Sequence, residues 1–197
     1  MTQVDLRRYD NAWYSPGRSV ALRSLWMFFG LPLFRSTWFA SSAARVALLR
    51  LFGAGIGKRV VIRQHVTVKY PWHLTVADDC WIGEQVWIDN LTAVRLASSV
   101  CISQGAYLCT GNHDWSDPAF GLKIAPISLE QGSWAGARCL LMPGTCLSEG
   151  AVASAGSVVS GRIPAFQVFA GNPAVFVKQR MVRSSAAVTP EWQEEIR

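Results

Sequence analysis

At 197 residues the chain is long enough for one domain with a real core, and half of its residues are hydrophobic. Nineteen Lys and Arg against thirteen Asp and Glu leave a net charge of +6. Such an excess suits nucleic acid, an anionic membrane or an anionic ligand. No Lys/Arg tract of the nucleic-acid kind appears, which favours the other two, or a solvated basic surface, and no nucleic-acid partner is expected.

Residues 1 to 55 read as a helical prefix. Asp5 and arginines precede the apolar run SLWMFFGLPLF (24 to 34), and Gly30 and Pro32 interrupt that run, so it does not read as a secretory signal. It is also too short to span a bilayer as a helix. Arg23, Arg35, Arg45 and Arg50 flank two apolar stretches, 24 to 34 and 46 to 52, and Trp26, Phe28, Phe29, Phe34, Trp38 and Phe39 form an aromatic group. Two short helices are expected. They would cap the open end of the repeats that follow, which need protection from edge pairing. The alternative is that residues 1 to 52 touch a membrane, with Arg near headgroups and Trp at the boundary. The two roles are compatible.

From Ile56 an aliphatic residue or alanine returns every six residues: Ile56, Ile62, Val68; Val76, Ile82, Ile88; Leu96, Ile102, Leu108; Leu129, Ala135, Leu141; Leu147, Ala153, Val159. Four positions after most of them stands a small or β-branched residue, such as Val60, Cys80, Ala106, Cys139 or Ser157, with Trp72 and Asn112 as exceptions. A six-residue period fits neither a helix nor a simple alternating strand. It fits a solenoid whose short strands turn a corner every six residues. Three hexapeptides make one turn of a three-sided prism. The series slips by two residues after Val68 and after Ile88 and breaks between Leu108 and Leu129, so insertions fall at corners and about five coils result. The solenoid is expected over 56 to 164, with a loop at 112 to 126 and a C-terminal extension over 165 to 197. Within that extension Thr189, Pro190 and EWQEEIR resemble a capped helix start.

The five cysteines include no CxxC pair and sit at repeat positions, which suits small apolar residues in a reducing compartment. Cys109, four residues before His113, leaves a catalytic thiol as the alternative, but a nucleophile needs its own activating base. The three histidines, His65, His73 and His113, lack metal-site spacing, and no metal is expected. His65 and His73 fall on early coils, as surface or corner residues. His113 stands where the repeat breaks, and loops leaving a rigid scaffold commonly carry function.

The strings DDCWIGEQVWIDN (78 to 90), VCISQGAYLCTGNHDWSDPAFG (100 to 121), GSWAGARCLLMPGT (132 to 145) and AFQVFAGNPA (165 to 174) resemble those of the hexapeptide-repeat acyltransferases, nearest to the colanic acid and exopolysaccharide biosynthesis acetyltransferases. The resemblance covers roughly residues 56 to 178. It implies an all-β fold, a left-handed parallel β-helix, and transfer of acetyl from acetyl-CoA to a sugar hydroxyl. His113 would be the general base, a task that suits an imidazole. Asn90, Asp89 and Asp114 would face the acceptor, with Asp89 as a possible partner orienting His113. Asp114 itself points away from the imidazole on an extended chain, and an Asx corner turn is the structural alternative for Asn90 and Asp89. Trp134, Ala137, Ala155, Ser160, Arg162 and Lys178 would hold the donor. Where the family often has Thr-Lys-Asp this chain has Ser160, Gly161 and Arg162, so Arg162 would replace the missing lysine. The resemblance further implies a homotrimer with donor sites between subunits, and a cytoplasmic enzyme at the inner face of the membrane. A small soluble acceptor or a catalytically silent β-helix trimer are the competing functions, since fold alone does not choose.

Overall fold

The structure is a computed structural model that describes residues 3–39 and 41–182. Two-residue and three-residue strands stack in parallel on three faces of a left-handed β-helix. The first face stacks Gly55–Ile56, Leu74–Val76, Val94–Leu96, Ile127–Leu129, Cys146–Leu147 and Arg162–Ile163. The second stacks Val61–Ile62, Trp81–Ile82, Cys101–Ile102, Trp134–Ala135, Val152–Ala153 and Gln167–Gly171. The third stacks Thr67–Val68, Trp87–Asp89, Tyr107–Cys109, Leu140–Leu141 and Val158–Val159.

The repeat residues form the inward columns. Ile62, Ile82, Ile102, Ala135 and Ala153 stand above one another in register, as do Val68, Ile88, Leu108, Leu141 and Val159. Nearly all are sealed from water. In each coil an inward aliphatic residue thus buries its surface against equivalents above and below, the dominant favourable contribution to folding. Most of the small residues at the corners, from Val60 to Ser157, are buried too.

Five coils are complete, and a sixth runs over two faces. Ile163 stacks on Leu147 and Phe169 on Ala153, after a last corner only four residues on from Val159. Residues 167–179 therefore belong to the solenoid: Ala174–Gln179 folds back antiparallel and extends the second face by one strand. The helix expected over 191–197 lies outside the described residues.

The prefix caps the first coil. Val20–Leu25, Trp26–Gly30 and Leu31–Arg35 follow one another as one helix with a π-helical middle turn, started by Ser19, whose hydroxyl accepts from the Leu22 N–H. Trp26 and Phe34 are buried, and Gly30 is required because the Trp26 ring occupies the place of a β-carbon. A second helix, Ser42–Leu51, buries Val46 and Leu49. The first coil has no preceding strand, so its outer edge carries orphan backbone groups. The cap satisfies them one by one. Trp26 Nε1 donates to Val68 O (3.1 Å), Arg45 Nη1 to Ile62 O (3.3 Å), Ser42 Oγ accepts from Ile62 N (2.9 Å), and Arg50 Nη2 donates to Ile56 O (2.9 Å) and Gly57 O (2.6 Å).

Candidate active site

All three irregularities in the repeat fall at one corner, between the third face and the first. After Val68 the extra residues make the turn Pro71–His73, after Ile88 they carry Asn90, and after Leu108 they become an arm. In the arm Gly111–His113 pairs antiparallel with Leu122–Ile124, His113 opposite Leu122. Stacked corners thus bring the whole irregular part of the sequence along one edge of the prism, with His113 at its end.

His113 Nδ1 lies 3.0 Å from the carbonyl oxygen of Phe120, and its ring stacks on that of Phe120 at 4.5 Å and 10°. A carbonyl only accepts, so Nδ1 carries the hydrogen and Nε2 keeps a free lone pair. The group that orients the histidine is therefore a backbone carbonyl of its own arm. Asp89 does not do it. One Asp89 oxygen meets Lys69 Nζ at 2.8 Å and the other accepts from the Tyr107 hydroxyl at 3.1 Å. Phe120 has a positive φ of 52°, an uncommon state for a bulky residue, in the turn that brings its carbonyl to the imidazole.

Asp114 faces away from His113, as alternation along a strand requires. Its carboxylate accepts from Ser116 N (3.1 Å) and pairs with Lys123 Nζ (2.7 Å) across the arm. Those partners hold its carboxyl down to about 2. Asp114 is thus a staple of the arm instead of an acceptor contact. Asn90 needs the same correction. It is fully buried, accepts from Tyr70 N (2.9 Å) and donates to Tyr70 O (2.7 Å), so it joins two stacked corners and is sealed from a ligand.

Residues 3–18 form a strap along the same corner. The Pro16 carbonyl accepts from Trp72 Nε1 (2.6 Å), the Tyr14 hydroxyl donates to Leu91 O (2.9 Å), and Asp5 N donates to Pro118 O (2.9 Å) on the arm. The Tyr9 ring centroid stands 5.6 Å from that of His113. Nothing in the sequence pattern pointed to this strap, because its bonds are single contacts between residues far apart in the chain.

A groove of about 540 Å³ lies along the second face and its corner with the third. Trp134, Ala137, Ala155 and Lys178 line it together, four of the six residues expected to hold the donor. Trp134 Nε1 donates to Ser103 Oγ (2.9 Å), which lays the indole along the wall. Gly136 permits close stacking, since a β-carbon there would stand 2.6 Å from Ala155 N. Gln104 and Arg180 also line the groove. Ser103 and Gln104 were readable in advance, because pairing Ile102 with Ala135 puts them beside Gly136 and Ala137. Arg180 was not; it is held by Gly132 O (2.8 Å) and Gly150 O (3.0 Å) after the return strand.

The other two expected donor residues are elsewhere. Ser160 follows the third face and lines a separate hollow of about 540 Å³ under the arm with Trp13, Asn112, Lys123 and Met142. Arg162 lies on the first face, where Nη1 donates to Ser148 Oγ (2.7 Å) and meets Glu130 (3.3 Å). It is not in the groove and does not replace the missing lysine there. The Cys109 thiol donates to Gly111 O (3.0 Å) and has no imidazole partner. His65 is exposed, and His73 Nδ1 lies 3.2 Å from Asn90 O.

No protein-family model matches the chain. The protein named "Putative colanic acid biosynthesis acetyltransferase WcaF" of Escherichia coli (strain K12) is 41% identical over 137 residues, spanning 70% of this chain and 75% of that one. Among solved structures, a maltose O-acetyltransferase from Clostridium difficile 630 superposes with a TM-score of 0.73 at 22% identity, covering 83% of this chain and 88% of its own. A hexapeptide-repeat acetyltransferase of Vibrio cholerae, solved with acetyl coenzyme A, gives 0.74 at 19%, covering 82% and 88%. These likenesses show the shared fold. With the WcaF relationship they place the chain: it belongs to the hexapeptide-repeat acetyltransferases and is an enzyme of acyl transfer.

Proposed function

We propose that this chain transfers acetyl from acetyl-CoA to a hydroxyl of a sugar bound for a surface polysaccharide, with His113 as general base. The observation that carries this is the His113 tautomer: Nδ1–H is committed to Phe120 O, so Nε2 is the basic nitrogen. Nε2 takes the hydroxyl proton as the sugar oxygen attacks the thioester carbonyl. A C–O bond forms, the C–S bond breaks, and the imidazolium returns the proton to the departing thiolate. The 41% identity to a protein named for colanic acid biosynthesis supports a saccharide acceptor. The acetyl coenzyme A held by the Vibrio cholerae neighbour supports the donor, for which the Trp134–Ala155 groove is the seat here.

The working unit in this reading is a homotrimer. His113 and Ser160 lie at the corner between third and first faces, whereas Trp134, Ala137, Ala155 and Lys178 lie at the second face and its corner with the third. One donor molecule cannot meet both sets on one prism. A second copy can supply the missing half through a head-to-tail interface that closes into a ring, and the family resemblance supports a ring of three. Its place of work is the cytoplasm, where acetyl-CoA is made, with residues 1–52 toward the inner membrane face.

Thiol release with acetyl-CoA, against a panel of free sugars, nucleotide sugars and lipid-linked sugars, tests the assignment. The parent should turn over with a saccharide. His113→Ala should lower kcat by about 10²–10⁴-fold while acetyl-CoA binding persists. Full turnover by a well-folded His113→Ala variant would move the chemistry elsewhere, and turnover only with a non-sugar acceptor would replace the substrate class.

A further inference from the structure

We infer that the capped end of the prism docks on an anionic lipid bilayer, using a crown of aromatic and aliphatic side chains ringed by arginine. This deepens the proposed function, on which its orientation rests. Two independent observations meet at this end.

The first is exposed apolar surface. Once Trp26, Gly30 and Phe34 have turned inward, the first helix is left with Leu25, Phe28, Phe29 and Leu33 in solvent, and Trp38 follows at 96% exposure. Phe28 and Phe29 are 71% and 70% exposed, although Trp26 and Gly30 of the same helical turn are buried. Contiguous exposed apolar side chains on a soluble surface mark a contact site. The helix is too short to cross a membrane, and no helix among the described residues is long and apolar enough to do so. Lying flat, it can sink that face to the headgroup boundary.

The second is charge. Residues 11 to 77 contain nine Lys and Arg and no Asp or Glu. The rest of the chain has ten basic and thirteen acidic residues, a net of −3, so the whole positive excess of the protein belongs to the cap and first coil. Arg18 and Arg35 are exposed at the two ends of the first helix, and Lys58 and Arg63 are exposed on the first coil. Within the set, Lys69 pairs with Asp89 and Arg59 with Asp79. This charge decides the occupant. A second copy of the cap would bring one basic surface against another, which repels. Anionic headgroups match the charge while the acyl boundary takes the aromatics.

Geometry adds a reason for this end. In a trimer whose axis runs along its prisms, three caps come to one side, so one flat surface carries three crowns. Avidity then turns weak single contacts into firm attachment. A sugar acceptor carried on a lipid would reach the catalytic corner from the same surface.

Flotation of the full chain with phosphatidylcholine vesicles, with and without phosphatidylglycerol, at low and high salt, tests the inference. The parent should float with the anionic vesicles at low salt and release as salt rises. Phe28→Ser with Phe29→Ser should cut the bound fraction about tenfold or more, and Arg35→Gln with Arg63→Gln should weaken it at low salt. Trp38→Ser, at a fully exposed position, guards against a folding defect in the double variant. Thiol release with a water-soluble acceptor should be unchanged in all of them. No flotation at low salt, or equal flotation of parent and Phe variants, overturns the inference. So does a larger assembly in sedimentation that the Phe variants dissolve, since the crown would then cover a second copy. Because flotation needs no turnover, a protein that floats but acetylates nothing would refute the proposed activity and leave the docking intact.

Discussion

The chemistry at the catalytic corner turns on which atom carries a proton. In the proposed reaction His113 serves as the base, because a backbone carbonyl, not a carboxylate, holds its other nitrogen. Cys109 is nearby in sequence, but its thiol is a donor to Gly111 O, a role a hydroxyl fills as well. Cys109→Ser should therefore keep kcat within about threefold of the parent in a thiol-release assay, since only a modest hydrogen bond changes; a collapse of activity would revive the nucleophile. Asp114 behaves differently. Its carboxyl is held low by Lys123 first and then by Ser116. A depressed carboxylate stabilises the fold above the ordinary carboxylate range, and that contribution fades as pH falls toward 2. The arm should therefore keep its order throughout neutral and mildly acidic pH and loosen only in strong acid. Asp114→Asn should show faster amide exchange over residues 114–123 already at neutral pH. Exchange equal to the parent's would mean that the backbone pairing of the arm suffices.

At the scale of elements, the cap matters more for what it closes than for its own helices. Each is short, and isolated helices of such length are marginal in water. Their stability comes from Trp26, Phe34, Val46 and Leu49 set against the first coil, and from the bonds to its open edge. Trp26→Ala removes a sealed ring and the Nε1 donor to Val68 O together. We expect a loss of about 3–5 kcal/mol in denaturant unfolding. A loss under about 1 kcal/mol would mean that the solenoid is stable without its cap. The strap is an element of another kind, a few contacts along one corner, ending with Tyr9 over His113. In the proposed reaction that position would make it a wall beside the acceptor, built by a segment about a hundred residues earlier in the chain.

For the whole molecule, the decisive feature is that the two halves of the proposed site face away from each other on one prism. This makes assembly testable through function. Co-expressed subunits, one carrying His113→Ala and the other Ala155→Trp to block the groove, should form mixed trimers. About a quarter of the interfaces should then pair an intact histidine with an intact groove, by random association of two subunit types. Activity near that fraction, from parents that are each inactive, is the expected result. No recovery in purified mixed trimers, or a stable monomer that turns over, would place the site within one chain.

The sequence by itself determined the solenoid. A six-residue return of aliphatic residues admits few other solutions, because each inward side chain must meet its equivalent one coil away, and the order of the columns follows from counting. The motif resemblance grouped Trp134, Ala137 and Ala155, and the counting agrees with it, since they lie on neighbouring coils. It also showed His113 at the break in the pattern. What depended on contacts across the chain was settled only by the tertiary structure: Phe120 O as the partner of His113, Asn90 sealed between corners, Arg162 on another face, and the strap. Periodicity reports what is repeated, and a hydrogen bond that occurs once leaves no period to read. The short final corner after Val159 shows the same limit, for it shifted the register by two residues and set Arg162 on the first face, beside Ser148 and Glu130.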